Sequence, residues 1–485
     1  MATQNFDVCV IGAGPGGYVA AIRSAQLGLK TAVIERDKMG GVCLNVGCIP
    51  SKAMIAASHF LHRMQHDAET MGFKIPGEVK IDAKQLQAWK QTVCDKMSGG
   101  VSQLLKGNAV TTIAGDATFK DAKTLTVKTS SGTETVTAKN FIVATGSRPI
   151  EIPGFPFDEK DIMSSTGALA LDALPKSVAV IGGGYIGLEI GSYMNKLGVE
   201  VNVFEAQDGL LKGVADADCV QVVARKLKKD GVIVNLKSKA QGFTKKGKQF
   251  DLKVNVDGKD QTFTVDKILV TVGRKPNSDQ MNLKGIGLQI DERGFIKVNA
   301  KRQTNVPGIW AIGDICGQPM LAHKASHEGV MVAEIISGAN RAYDAKTVPA
   351  VIFTQPEIAS AGWTEDECKQ NGHANLKIGK FPFGANGRAV SLMETDGFVK
   401  MIADAKTDIV LGVHIVGPEA SNLISEAALA IEMGARLQDI ALTIHPHPTL
   451  GETMMEAAEA TLGHAIHIIQ KPLTSARSSE LGKAH

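Results

Sequence analysis

The apolar positions of this chain come in short strand-like runs, and the pattern of runs repeats. Residues 6–36 read FDVCVIGAGPGGYVAAIRSAQLGLKTAVIER. A strand-like run, Phe6–Ile11, meets Gly12, Gly14 and Gly17; small residues follow at helical spacing, and a second apolar run ends at Glu35. Residues 177–205, SVAVIGGGYIGLEIGSYMNKLGVEVNVFE, bring the same elements in the same order: strand, Gly182, Gly184 and Gly187, helix, strand, Glu205. The acid follows the first glycine at the same distance in both copies. Each copy has a later echo, FIVATGSRP over Phe141–Pro149 and ILVTVGRKPN over Ile268–Asn277, an apolar run ending at Gly146 or Gly273. From about Thr347 the pattern changes. Strand-like runs (Gly397–Ile402, Val410–Ile415) then alternate with helical ones (Asn422–Met433, Leu450–Leu462).

A lone GxGxxG proves little, because glycine fills many turns. Here each copy has the strand, helix, second strand and terminal acid that a dinucleotide-binding βαβ unit needs. The first glycine makes the tight turn, the second lets backbone approach a pyrophosphate, and the third lets helix pack on strand. The phosphates then face free N–H groups at the helix N-terminus, and the acid faces a ribose diol. Two such sites in one chain imply electron transfer between two cofactors.

Composition narrows this further. The 485 residues suit about three domains, with 44% hydrophobic and 21% charged residues and a net charge of only +3. No basic face for nucleic acid is expected, and no uninterrupted apolar run reaches the roughly 18 residues of a membrane span. The seven cysteines are odd in number and scattered. They do not read as a secreted disulfide framework, and with no signal or transit pattern at the start the expected location is cytoplasmic.

Two of these cysteines stand apart. Residues 40–52 read GGVCLNVGCIPSK, with Cys43 and Cys48 five apart. On an ideal α-helix that spacing leaves the Cα atoms roughly 8–9 Å apart, beyond the ~7 Å limit for a disulfide. A bridge would therefore need a distorted backbone, and Gly47 is the place for it. A strained, accessible disulfide is the reducible, catalytic kind. The rival readings are two thiol ligands of a metal and two unrelated buried thiols. No second Cys or His pair stands nearby at ligand spacing, so no metal is expected. A nicotinamide delivers hydride, whereas a disulfide exchanges through a thiolate, and a flavin can mediate between them. The first module, beside the cysteines, is thus the expected FAD site and the second the NAD site. Glu205 suits a 2′-hydroxyl, and no arginine follows it before Arg225 to receive a 2′-phosphate.

The segment GGVCLNVGCIPSK resembles the redox-active disulfide motif of the pyridine nucleotide–disulfide oxidoreductases. Thr304–Asp314, TNVPGIWAIGD, resembles that family's second FAD motif, and His445–Glu452, HPHPTLGE, its catalytic His–Glu segment. The likeness runs from about Asn5 to Leu473. It implies an α/β protein with two Rossmann-like dinucleotide-binding domains and a C-terminal α+β dimerisation domain. The expected boundaries are 1–150 for the FAD domain, 151–280 for the NAD domain, 281–346 completing the FAD domain, 347–473 for dimerisation and 474–485 for a disordered tail. The members it most resembles oxidise protein-bound dihydrolipoamide with NAD. The implied partners are a second copy of the chain and the lipoyl domains and core of 2-oxoacid dehydrogenase or glycine cleavage complexes.

The resemblance also implies roles residue by residue. Cys43 matches the outer thiol that attacks the lipoyl group, and Cys48 the inner thiol at the flavin. Lys52 matches a lysine near the flavin's reactive end, and Glu189 the glutamate that pairs with it. Gly115, Ala144, Thr145, Gly146, Asp314, Met320, Leu321, Ala322 and His323 match flavin contacts. Ala240 and Gly273 match nicotinamide-nucleotide contacts. His447 is the implied acid–base, held by Glu452 and acting on the cysteines of the other subunit. An imidazole suits that task near neutral pH. Apart from the resemblance, Thr449-Leu-Gly-Glu452 also fits a helix capping box, and His445 is a rival for the histidine role. Two positions depart from the family pattern, Val42 for Thr and Gly451 for Ser, and Gly451 is expected to loosen the helix carrying Glu452. Tyr185, inside the second glycine motif, either covers the nicotinamide pocket or packs.

Overall fold

The computed structural model describes residues 3–77 and 79–470. The sequence-expected tail, 474–485, and the last residues of the C-terminal domain lie outside them. The chain falls into two compact units, Met1–Ala206 with Lys237–Asp344, and Gln207–Leu236 with Ala345–His485.

In the first unit, strands Thr111–Ala114, Thr31–Glu35, Thr3–Ile11 and Gly132–Val143 lie parallel and side by side, with Ile309–Ala311 pairing Gly132–Val143 in parallel. Ile11 pairs with both Ile34 and Val143, and Val143 with Ala311, so four strands end at one level. Gly12, Ala144 and Ile312 follow these ends directly, and Glu35 is the last residue of its strand. The carboxyl edge of a parallel sheet is where open α/β folds bind ligands. Strands with both faces covered need apolar residues throughout, and Val8, Cys9, Val10, Val33, Phe141 and Ile142 are fully buried.

The second module repeats this plan. Glu200–Phe204, Ser177–Ile181, Lys267–Val270 and Ile162–Met163 are parallel neighbours, and Phe204, Ile181 and Val270 end in register. The tails of the two sequence echoes also meet: Ser147–Pro149 pairs antiparallel with Arg274–Pro276. Helix Pro15–Gln26 packs on helix Ala322–Ile336 where Gly16 and Gly329 permit close approach; a Cβ on Gly329 would sit 2.6 Å from Gly16 O.

The stretch Gly41–His66 is long and apolar enough to cross a bilayer by length and composition alone, although it holds no uninterrupted apolar run of that length. It consists of two helices, Gly41–Asn45 and Cys48–His66, with a charged Lys52 in an ion pair along the second.

The second unit has one antiparallel sheet, in the order Ala350–Ile352, Glu357–Gly362, Val410–Gly417, Phe398–Asp404, Leu376–Pro382. Helices Ala420–Met433 and Glu452–Leu462 share its core, which includes Phe381, Met401, Ile415, Ile424 and Met454. Gln207–Leu236 groups with this unit, although it lies within the segment that the sequence assigns to the NAD domain. The physical reason is a buried cation. Lys400, 2% exposed, places its ammonium 2.9 Å from Asp216, 2.8 Å from Asp218 and 2.6 Å from Glu365. The three carboxylates are close enough to share one cation, and the ammonium donates to all of them. Lys380 adds a second contact to Asp218 at 2.7 Å.

Candidate active site

Cys43 lies within helix Gly41–Asn45, and Cys48 begins helix Cys48–His66. The break falls at Val46 (φ −140°, ψ 17°) and Gly47 (φ −138°, ψ −108°), so the distortion that a bridge required is present at the expected glycine. Both thiols are free and hydrogen-bonded to each other. The loop that carries them is pressed onto the first glycine motif. Gly40 N–H donates to Ala13 O at 2.9 Å, and a Cβ on Gly41 would come within 2.7 Å of Gly14 Cα. Glycine answers both positions: Gly40 has φ 90°, and at Gly41 the approach of Gly14 leaves no room for a Cβ.

The electrostatics separate the two sulfurs. The hydrogen bond from Cys43 pulls the Cys48 thiol down to about 7, with Lys52 adding to it against burial and Glu189. Cys43, as donor to Cys48 and partly buried, is pushed well up. Cys48 therefore ionises first, and Cys43 keeps its proton. Lys52 stands one helical turn after Cys48, and its Nζ lies 2.8 Å from Glu189 Oε2 on helix Tyr185–Lys196. Tyr185, at the start of that helix, is within electrostatic reach of Arg274, Asp314, Glu189 and Cys48.

The two glycine motifs have the same geometry. Added to Gly12, at φ 96°, a Cβ would meet Ala144 O at 2.5 Å; added to Gly182, at φ 112°, it would meet Thr271 O at 2.7 Å. Gly17 and Gly187 each press on the backbone oxygen of their own first glycine, Gly12 and Gly182. Gly14 and Gly184 have nothing within 4 Å on that side. The first and third glycines thus answer to packing, whereas the second faces open space of the kind a pyrophosphate needs. Glu35 Oε2 accepts from Ala13 N–H and Glu205 Oε2 from Gly183 N–H, both at 2.7 Å, so each acid is fixed at the mouth of its loop.

The other expected cofactor contacts divide between the modules. Gly115 N–H donates to Glu35 O, which places it beside the first acid. Ala144, Thr145 and Gly146 follow strand Gly132–Val143, and the Thr145 hydroxyl oxygen is buried without a partner. An orphaned buried polar atom at this edge fits a bound polar ligand. Asp314 sits in the turn Gly313–Cys316, and Met320 and Leu321 lead into helix Ala322–Ile336, which begins with Ala322 and His323. Ala240 and Gly273 belong to the second module, on strand Ser238–Lys246 and at φ 127° before Arg274. The residues present fit FAD at the first motif and NAD at the second.

In the other unit, His447 and Glu452 form a dyad. His447 lies in a loop, 79% exposed, with Nδ1 2.9 Å from Glu452 Oε1. The second oxygen, Oε2, accepts from Thr449 N–H at 2.9 Å. Burial pushes the Glu452 carboxyl up, but Thr449 N–H and His447 together outweigh it and hold it below its ordinary value. Glu452 thus makes the acid's half of a capping box as well as being the histidine's partner, and the Thr449 hydroxyl donates to Pro446 O. The rival histidine is otherwise engaged. His445 places Nδ1 2.8 Å from Thr443 O and Nε2 2.9 Å from Glu426 Oε1. Glu426 was not legible as a partner, because it comes from a helix nineteen residues away. Ser147, which bonds to Asp314, and Arg274, which bonds to Ser147, were also missed; their only signal was that each directly follows an echo's glycine.

Residues 6–329 match the pyridine nucleotide–disulphide oxidoreductase family, and residues 348–458 match its dimerisation domain. The dihydrolipoyl dehydrogenase of Geobacillus stearothermophilus is 48% identical over 96% of this chain and 98% of its own length. That of Bacillus subtilis is 47% identical with the same coverage. Among solved structures, LpdA of Mycobacterium tuberculosis superposes with a TM-score of 0.86 at 28% identity, covering 94% of this chain and 99% of that one. With its twin glycine motifs, paired thiols and His–Glu dyad, the chain belongs to the pyridine nucleotide–disulphide oxidoreductase family, among the dihydrolipoyl dehydrogenases.

Proposed function

We propose that this protein oxidises dihydrolipoamide to lipoamide and reduces NAD to NADH, as a homodimer with FAD at Gly12–Gly17 and NAD at Gly182–Gly187. The observation that carries this reading is the Cys43–Cys48 pair, two thiols set on either side of the helix break at Gly47, with the Lys52–Glu189 ion pair one turn further along. Bound FAD supplies two-electron exchange between a dithiol and a nicotinamide.

The chain's own residues handle sulfur and protons. In the oxidised enzyme Cys43 and Cys48 share a disulfide. A substrate thiolate attacks Cys43 Sγ, the Cys43–Cys48 bond breaks, and Cys48 leaves as a thiolate beside the Lys52 ammonium. The second substrate thiol then displaces Cys43, which closes the lipoyl disulfide and leaves both enzyme sulfurs reduced. His447 accepts the proton of the attacking thiol, and Glu452 keeps Nδ1 hydrogen-bonded so that Nε2 is the working nitrogen. Gly14 and Gly184 offer backbone to pyrophosphates, and Glu35 and Glu205 offer carboxylates to ribose diols.

The substrate arm is the lipoyl domain of a 2-oxoacid dehydrogenase or glycine cleavage complex, met in the cytoplasm, and each His447–Glu452 dyad serves the thiols of the other subunit. Anaerobic titration of the purified protein with dihydrolipoamide and then NAD, following NADH formation, tests the activity; a flavin-loaded protein that makes no NADH refutes it. Mixed dimers of Cys48→Ser and His447→Gln test the sharing. Random assembly recovers up to about a quarter of wild-type activity if sites are shared, and none if each chain serves itself.

A further inference from the structure

Two turns that face different cofactors are tied together by one side-chain chain. Arg274 Nε donates to Ser147 Oγ at 2.8 Å, and Ser147 Oγ donates to Asp314 Oδ2 at 2.6 Å. A hydroxyl has one proton, so the Arg274 bond leaves Ser147 a single direction in which to donate, toward Asp314. Arg274 Nη2 also donates to Ser147 O at 2.7 Å, which clamps the same residue twice. Ser147 is 3% exposed, so neither bond competes freely with water. With Oδ2 fixed, the plane of the Asp314 carboxylate and the direction of its other oxygen are fixed as well.

The backbone runs the same way. Ile150 N–H donates to Gly273 O, Asn277 N–H to Gly146 O, and the Asn277 side-chain amide to Thr145 O at 2.8 Å. Arg274 immediately follows Gly273, the expected nucleotide contact. Asp314, Thr145 and Gly146 are the expected flavin contacts. A displacement of Gly273 therefore has a short, stiff route to the Asp314 carboxylate.

We propose that Ser147 and Arg274 are positioning residues that couple nucleotide occupancy at the Gly273 turn to the grip of Asp314 on the flavin. This rests on the assignment of FAD and NAD to the two modules. Coupling of binding equilibria is reciprocal, so bound NAD strengthens retention of FAD through this chain of bonds.

The test uses the flavin-loaded protein and reads FAD release from the fluorescence of free flavin, with and without saturating NAD. In wild type, NAD slows release by about fivefold. Ser147→Ala and Arg274→Met each speed release by about tenfold, as loss of a hydrogen bond to a charged group implies, and NAD no longer slows it. Arg274→Lys keeps a cation that reaches Ser147 and restores part of the NAD effect. Asp279→Ala removes the ion pair to Arg148 on the same two-stranded ribbon but leaves the Arg274–Ser147–Asp314 bonds intact, and it behaves as wild type. If Ser147→Ala and Arg274→Met purify without flavin, they are reloaded with FAD and release is read in the same way with and without NAD; equal loss of flavin in Asp279→Ala overturns the proposal. Wild-type release rates and an undiminished NAD effect in the first two variants also overturn it. A wild type that binds no flavin overturns instead the cofactor assignment beneath it.

Discussion

Lys52 and Glu189 form an ion pair of 2.8 Å that joins the helix beginning at Cys48 to the helix following the second glycine motif. One end of the pair is set by the redox segment, the other by the nucleotide module, and Glu189 is 5% exposed. The ammonium is thereby held one turn from Cys48, where it favours the thiolate.

Lys52→Met is expected to raise the ionisation of Cys48 from about 7, by about one unit, or ~1.4 kcal/mol against the thiolate. Thiolate absorbance near the ultraviolet edge, titrated on the reduced protein, measures it. An unchanged or lower midpoint would show that the hydrogen bond from Cys43 acts alone.

His447→Gln removes the acid–base group and is expected to lower kcat for dihydrolipoamide oxidation by about 10²–10⁴-fold. Glu452→Gln retains a hydrogen-bonding side chain but no charge, and its loss is expected to be smaller. His445→Gln, whose ring serves Glu426 and Thr443 instead, should retain most activity. Steady-state kinetics of the three variants ranks them; an equal loss in His445→Gln would reassign the role.

Glu205 sits at the mouth of the second loop, held by Gly183 N–H. A 2′-phosphate there is repelled and leaves the carboxylate without its diol. The ratio of kcat/KM for NAD over NADP is expected to be about 100 or more, ~2.7 kcal/mol. A preference for NADP contradicts the placement.

Lys400→Met leaves Asp216, Asp218 and Glu365 crowded without their ammonium, which is expected to cost about 3–5 kcal/mol at pH 7. The sign of the pH dependence follows from Asp218. Its hydrogen bonds from Lys380 and Lys400 hold its carboxyl down at about 2, so in wild type it contributes stability that is full above its ordinary value of 3.8 and lost as pH falls toward 2. The gap between variant and wild type should therefore narrow below pH 4. Urea melts at pH 7 and pH 3.5 compare them, and a gap that widens in acid would rule out the charge argument.

Gly451 has helical backbone, φ −60° and ψ −29°, and a Cβ there would meet only ordinary contacts, Thr449 Oγ1 at 3.5 Å and His445 Cδ2 at 3.8 Å. Gly451→Ala is expected to stabilise the protein by about 0.4–1 kcal/mol by restricting the unfolded chain. Activity should hold, because Glu452 is already fixed by Thr449 N–H. A drop in the melting temperature would show that the site needs the glycine.

The local units are legible along the chain. Gly12 and Gly182 must be glycine because a turn with positive φ lies against backbone, Gly17 and Gly187 because the helix presses on that turn, and these demands leave a spacing that one chain displays twice. The Cys43–Cys48 spacing was likewise enough to demand a break, and Gly47 was the residue to make it. Such constraints act over a few residues and are written in order along the chain. The remaining contacts depend on where distant segments meet in the fold. The bonds from Arg274 to Ser147 and from Ser147 to Asp314 span 127 and 167 residues, and Lys400 finds its acids at 216, 218 and 365. A lone lysine or serine carries no spacing rule, because its partner is chosen by where separate strands end, and burial alone makes the bond matter. The same holds for the two thiols. Their positions were legible, but which of them ionises depends on the direction of one hydrogen bond and on an ammonium that a distant glutamate holds in place.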